Sequence, residues 1–195
     1  MKTKYKINEI FYSIQTEGSL TGSPAVFVRF SGCNLSCPFC DTNHEKFVLM
    51  TKEEIEAKVD ELDNTKEAMV VFTGGEPTLY LTDEEPWFND RYKAIETNGI
   101  IKAPRWINHV TISPKTHLTD DSLLSADEIK VLFGWFKEDE LERIERLCDE
   151  AMPLLYMQPT ADKDGKFDII PVVNWIKKHP QWSISIQWHK IFGIQ

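Results

Sequence analysis

Cysteine is scarce here, with four in a chain of 195 residues. The opening residues, MKTKYKINEI, lack the apolar core of a secretory signal. No apolar run approaches the roughly 20 residues that a membrane-spanning helix needs. No internal repeat, low-complexity tract or linker stands out. Cations are also short: 22 Lys and Arg face 31 Asp and Glu, for a formal charge of −9. An acidic balance of that size argues against an extended surface that tracks phosphates, and no local basic patch stands out. The expected compartment is the cytoplasm, where thiols stay reduced. Four cysteines in that setting point to a metal or cluster site more than to two disulfides. What remains is a globular composition, 42% hydrophobic and 11% aromatic, long enough for one domain spanning 1–195.

Seven apolar stretches read as strands: AVFVRF (25–30), MVVFTG (69–74), YKAIET (92–97), HVTISP (109–114), DEIKVLF (127–133), LLYMQP (154–159) and SISIQW (183–188). Several end in polar or Gly/Pro-rich segments, as strands of a parallel sheet do where they present functional loops. TKEEIEAKVDELD predicts a helix with a Thr51–Glu54 capping box and Ile55, Val59 and Leu62 on one face. KEDELERIERLCDE predicts a second, with Leu141, Ile144, Leu147 and Cys148 together. FDIIPVVNWIKKH predicts a third, with Pro171 in its first turn. About six to seven strands sharing about three main helices do not make a complete eightfold β/α barrel. The expected class is α/β, as a partial, open and shortened β/α barrel.

Three of the four cysteines, Cys33, Cys37 and Cys40, crowd into GCNLSCPFCDT. A structural zinc site takes four closed ligands, usually in paired spacing. The remaining cysteine, Cys148, lies on an expected apolar helix face, where a thiol serves as a small hydrophobe. His44 would complete a zinc site by counting, so zinc stays open. The other reading is a 4Fe–4S cluster on three thiolates, with one iron left open. The amino and carboxylate groups of S-adenosylmethionine (SAM) can chelate that iron. An electron from the cluster can then split the sulfonium and release a 5′-deoxyadenosyl radical. Phe39, just before the third cysteine, offers a ring for the adenine. This spacing, with its aromatic, resembles the radical SAM superfamily.

VVFTGGEP (70–77) strengthens that resemblance. Its glycines let backbone approach a ligand closely, and the following Glu76 can pair with an ammonium. Radical SAM proteins carry a similar stretch for the methionine end of SAM; an ordinary glycine turn before Pro77 is the plainer alternative. The ordered set FYSIQTEG (11–18), GSPAVFVRFSGCNLSCPFCDT (22–42), TGGEP, ETNG, SPK, LYMQP and QWHKIFGI resembles the 7-carboxy-7-deazaguanine synthase family. The resemblance runs from about residue 6 to the C-terminus and thins across 43–67 and 134–152.

That resemblance implies a radical SAM domain of shortened β/α barrel form and a homodimer. It implies conversion of 6-carboxy-5,6,7,8-tetrahydropterin to 7-carboxy-7-deazaguanine with loss of ammonia, in the deazapurine (queuosine) pathway. Cofactors would be a 4Fe–4S cluster, catalytic SAM and Mg2+. Cys33, Cys37 and Cys40 would ligate the cluster. Phe39, Cys40 and Asp41 would flank the adenosine, and Gly75 and Glu76 would meet the methionyl amine. Ser113, Pro114, Lys115 and Gln158 match further SAM positions. Thr42 matches the Mg2+ ligand, a weak site for substrate to complete. Ile14, Gln15, Thr16, Glu17, Arg29, Thr73, Glu96, His189 and the terminal carboxylate of Gln195 match the pterin pocket; Arg29 suits the substrate carboxylate. A terminal carboxylate used this way would make a C-terminal tag harmful.

Taken singly, Arg29 reads as an outward strand residue, Glu17 as a solvated loop charge and His189 as a packed or surface histidine. The chain also departs from the family pattern. The family's S-I-Q-G-E-G has Thr16 in place of its first glycine, which matters if that position needs positive φ. The Trp that many members carry before the third cysteine is Phe39, and the common Q-T-H-K is Gln187, Trp188, His189 and Lys190. The enzyme reading competes with a glycyl-radical activase, which shares the cysteine spacing, with a zinc-stabilised binding module and with a regulatory use of the fold. No second cluster or flavin motif is present, so the expected electron donor is a separate flavodoxin or ferredoxin.

Overall fold

The computed structural model describes residues 2–38, 40, 46–148, 153–160 and 166–195. Chain packing divides into two compact units interleaved in sequence. One comprises Met1–Gln15, Gly22–Thr97 and Ile101–Val110; the other comprises Thr16–Thr21, Asn98–Ile100 and Thr111–Gln195.

The first unit holds strands β1 (Tyr5–Ile14), β2 (Pro24–Phe30), β3 (Val48–Met50), β4 (Met69–Gly74) and β5 (Lys93–Thr97), with helix α1 (Lys52–Leu62). Their order is β3-β1-β2-β4-β5. β1 runs antiparallel to β2 and β3, whereas β2, β4 and β5 are parallel. Alternation along the strands sorts the side chains onto two faces. Val26, Val28, Phe30, Val70, Phe72 and Ile95 join Ile55 and Val59 of α1 in an apolar cluster around the buried Trp87. Phe27, Arg29, Val71 and Thr73 occupy the opposite face. A bulge in β1 between Ile7 and Glu9 changes its phase. Tyr5 and Ile7 point into the cluster before the bulge, and Ile10 packs against it afterwards.

α1 begins as its sequence predicts. The Thr51 side chain accepts from the Glu54 amide, and the Glu54 carboxylate accepts from the Thr51 amide at 2.7 Å. Its far end is fastened by charge. Asp63 accepts from Arg91 Nη1 at 2.6 Å and from the Ala68 amide at 3.0 Å, while Arg91 Nη2 reaches Asp60 at 2.8 Å. Burial alone would raise the Asp63 pKa. Bonds from Thr65, Arg91 and Ala68 outweigh it and hold the group at about 2.

The second unit holds β7 (Glu128–Leu132), β8 (Leu154–Gln158), β9 (Trp182–Ile184) and the last two residues of β6 (His109–Ile112), with parallel neighbours throughout. Its helices are α2 (Asp120–Leu123), α3 (Glu138–Leu147), α4 (Ile169–Ile176) and α5 (Trp188–Phe192). Buried Ile129, Val131, Leu155, Met157 and Trp182 supply strand positions of this core, and Leu141, Ile144 and Val172 supply helix positions. Pro171 sits in the first turn of α4. Cys148 caps α3 as a half-buried free thiol whose pKa burial pushes up to about 11, in keeping with a small hydrophobe.

The class is α/β with mostly parallel strands and few helices. Among the described residues the helices of eight residues or more are α1, α3 and α4, the three expected from sequence. Among the described residues strands number nine, against the seven stretches singled out. β1 escaped because its bulge breaks the period-two pattern, and β3 because it is three residues long. The stretch 183–188 is strand only to Ile184, and Trp188 opens α5.

Asp63→Ala should leave Arg91 buried with one partner fewer and cost about 3–5 kcal/mol in urea unfolding. In the unaltered protein the Asp63 contribution is present above pH 3.8 and should be lost as pH falls through about 2. An acid titration of stability on both proteins checks the sign.

Candidate active site

In the first unit, one polar row crosses four strands. Glu9 of β1 pairs in register with Arg29 of β2, and Arg29 with Thr73 of β4. The Thr73 hydroxyl donates to Glu96 Oε2 of β5 at 2.9 Å, and Gln15 Nε2 donates to Glu96 Oε1 at 3.2 Å. Arg29 Nε donates to Glu9 Oε1 at 2.8 Å. The register places an apolar row beneath: Phe11 stacks on Phe27 at 4.9 Å, and Phe27 neighbours Val71. A floor of rings under a line of donors and acceptors suits a flat, polar-edged ligand. Gln15, Arg29, Thr73 and Glu96 were all sequence candidates. Ile14, also a candidate, is exposed.

Beyond the ends of β2 and β4, two distant motifs bond to each other. The Gly75 amide donates to Phe30 O at 2.9 Å, and the Glu76 amide donates to Gly32 O at 2.9 Å. A Cβ on Gly75 would lie 1.9 Å from that same Gly32 oxygen. Only glycine therefore fits, and the TGGEP turn is locked to the segment that enters the cysteine loop. The Tyr80 hydroxyl adds a bond to Ser31 O at 2.6 Å. Glu76 is fully buried. Its Oε1 accepts from the Thr78 amide at 3.1 Å and from the hydroxyls of Thr78 and Thr97, both at 2.6 Å.

Cys33, Cys37 and Cys40 are free thiols, the first two half-buried and the third exposed. The Leu35 amide donates to Cys33 Sγ at 3.4 Å, and the Cys40 amide turns back to Cys37 O at 3.2 Å. Among the described residues, no three His, Cys, Asp or Glu side chains form a group able to hold a single metal ion. A cubane takes each thiolate on a different iron, so its ligands need not meet at one point. Three accessible thiols, one already receiving an amide N–H, are a donor set of the kind a cluster takes. Phe39, Asp41, Thr42 and His44 lie outside the described residues.

The second unit gathers another set. The Thr16 hydroxyl lies 2.8 Å from His189 Nδ1. Glu17 accepts from Lys130 Nζ through one oxygen and from Gln187 Nε2 through the other at 2.9 Å. Burial pushes the Glu17 pKa upward, but Lys130 and, after it, Gln187 and His189 bring it down to about 2. Glu17 is therefore a carboxylate at every physiological pH. Thr16 has no positive φ, whereas Gly18 has φ +65. A Cβ on Gly18 would lie 2.1 Å from Glu128 Oε1. Glu128 is buried and binds the Ser19 amide at 2.8 Å, the Ser19 hydroxyl at 2.7 Å and the Thr111 hydroxyl at 2.8 Å.

Gln158 is buried and accepts from the Ser185 hydroxyl at 3.1 Å, and the Gly18 amide donates to that hydroxyl at 3.1 Å. Lys115 Nζ bonds Ser113 O at 2.9 Å, with Pro114 buried between them. Trp188 stacks on Phe192 at 5.5 Å, and Gln195 is exposed. Sequence reading passed over Glu9, Glu128, Lys130, Ser185 and Gln187. The available signal was charge inside apolar runs: Glu128 and Lys130 interrupt DEIKVLF at alternate positions, which puts both on one strand face.

Residues 27–149 match the Radical SAM superfamily. A 7-carboxy-7-deazaguanine synthase of Bacteroides thetaiotaomicron is 40% identical over 193 residues, covering 97% of this chain and 98% of that protein. One from Haemophilus influenzae is 34% identical, with 98% and 94% covered. A crystal structure of QueE from Escherichia coli superposes with a TM-score of 0.72 at 26% identity, covering 94% of both chains.

Gly75→Ala should lower the melting temperature by about 5 °C, because the new methyl group meets the Gly32 backbone, which cannot swing aside, and overpacking costs about 1–3 kcal/mol. Gly22→Ala meets no atom within 4 Å and serves as a positive-φ control in differential scanning fluorimetry.

Proposed function

The chain belongs to the 7-carboxy-7-deazaguanine synthase family of radical SAM enzymes, and from that membership we propose that it contracts the ring of 6-carboxy-5,6,7,8-tetrahydropterin to 7-carboxy-7-deazaguanine, releasing ammonia. The observation that carries this reading is the bonded pair of motifs at the ends of β2 and β4, set beside the polar row. Cys33, Cys37 and Cys40 would hold a 4Fe–4S cluster. With SAM, that cluster supplies the radical that opens the reaction.

The chain's own residues then bind and orient. Gly75, without a side chain, lets the TGGEP backbone lie against the cysteine loop, and Phe39, Asp41 and Glu76 are assigned to SAM. Ser113, Pro114, Lys115 and Gln158 are assigned to its ribose and carboxylate. Gln15 and Thr73 fix the Glu96 carboxylate in advance, so it meets pterin N–H groups without first being ordered. Glu17, kept ionised by Lys130, offers a second acceptor. Arg29 receives the substrate carboxylate. Thr16 holds the ring of His189, and Ile14 and Gln195 complete the assignment. Thr42 would contribute one oxygen to Mg2+, which then depends on substrate for others.

The one-electron donor would be a flavodoxin or ferredoxin. The protein would act as a homodimer in the cytoplasm, each chain a single radical SAM domain feeding a deazapurine (queuosine) pathway. No helix among the described residues is long and apolar enough to cross a membrane.

Anaerobic reconstitution with iron and sulfide, followed by dithionite, SAM, Mg2+ and the pterin, should yield 7-carboxy-7-deazaguanine by mass spectrometry. Omitting SAM, or introducing Cys37→Ala, should abolish product, and Thr42→Ala should raise the Mg2+ requirement about tenfold or more. A reconstituted protein that cleaves SAM without making product would sink the substrate assignment. A colourless zinc protein would sink the radical chemistry.

A further inference from the structure

The bulge in β1 turns Glu9 onto the face that carries Arg29. The Glu9 carboxylate takes Arg29 Nε at 2.8 Å, and the guanidinium carbon stands 6.0 Å from the centre of the Phe11 ring. The two side chains are 37% and 27% exposed. A pair this open contributes little to stability, about 0–1 kcal/mol. Its geometry does more. A guanidinium has five N–H donors, one on Nε and four on the terminal nitrogens. A carboxylate can approach side-on, through Nε and one Nη, or end-on, through both Nη atoms. With Nε taken by Glu9, only the end-on fork is presented.

We infer that Glu9 is a positioning residue for substrate. It fixes Arg29 over Phe11 so that the two Nη atoms meet the carboxylate of the pterin end-on, and it thereby selects pterins bearing that group. This rests on the reading of Arg29 as the carboxylate-binding residue. The charge of Glu9 also works against an incoming anion. Orientation prevails here because Glu9 and the ligand use different donors of one cation.

The test is equilibrium binding to the reconstituted protein with SAM and Mg2+ but no reductant. The probes are 6-carboxy-5,6,7,8-tetrahydropterin and tetrahydropterin lacking the carboxyl group. Glu9→Ala should weaken the carboxylated pterin about tenfold and leave the other unchanged. Glu9→Gln keeps an oxygen for Nε and should stay within about threefold of the unaltered protein for both. The unchanged affinity for the second pterin also reports that the variant is folded. Equal losses for both pterins, or tighter binding of the acid by Glu9→Ala, would overturn the role of Glu9 and leave the reaction standing. Unaltered protein that binds the two pterins equally well would remove the carboxylate from Arg29 and overturn both ideas together.

Discussion

The carbonyl oxygen of Gly32 and the backbone at Gly75 lie too close for any side chain between them. That contact joins the segment before the first cysteine to the turn after β4, and each holds the other's conformation through main-chain bonds. Loops carry most functional groups and are costly to order. Here the cost is met by strands that already run side by side. Parallel pairing of β2 with β4 brings both exits to the same end of the sheet. Two short motifs separated by about 40 residues of chain thereby become one surface.

Within each unit, polar groups are held by other polar groups rather than left to solvent. Glu76 is fully buried yet accepts several bonds; Glu96 is gripped by Thr73 of β4 and by Gln15 just past β1; Glu17 keeps its charge against burial because Lys130 and Gln187 reach it. Buried carboxylates without such partners would neutralise. Their partners come from neighbouring strands or loops, so the same pairing that builds each unit also fixes where its acids point, and for Glu17 it keeps the carboxylate ionised.

Much of this was readable in the chain. β4 was bounded to the residue because the apolar run Met69–Phe72 passes through Thr73 into a glycine pair, and the start of α1 because Thr51 and Glu54 declare it. The cysteine spacing and the Gly-Gly-Glu turn named the chemistry. What stayed hidden was relational. Glu9 looks like a surface charge until the bulge turns it toward Arg29. Glu128 looks like a strand-edge acid until Gly18 and Ser19 fold onto it. Lys130 sits 113 positions from its partner Glu17. No local pattern encodes a pairing over that distance. Thr16 shows the converse: a departure that suggested backbone strain takes no positive φ and places a hydroxyl against His189.

The bulge at Asn8 makes β1 a strand with two reading frames. Upstream of it, odd positions belong to the core; downstream, odd positions belong to the polar face. A substitution at Asn8 keeps both frames. Losing one residue there would act on the protein as a frameshift acts on a gene. Every side chain from Glu9 to Ser13 would exchange faces, placing a carboxylate against Trp87's cluster and Ile10 on the face that carries Arg29. One extra amino acid thus lets a single strand serve the core with odd positions before it and with even positions after it.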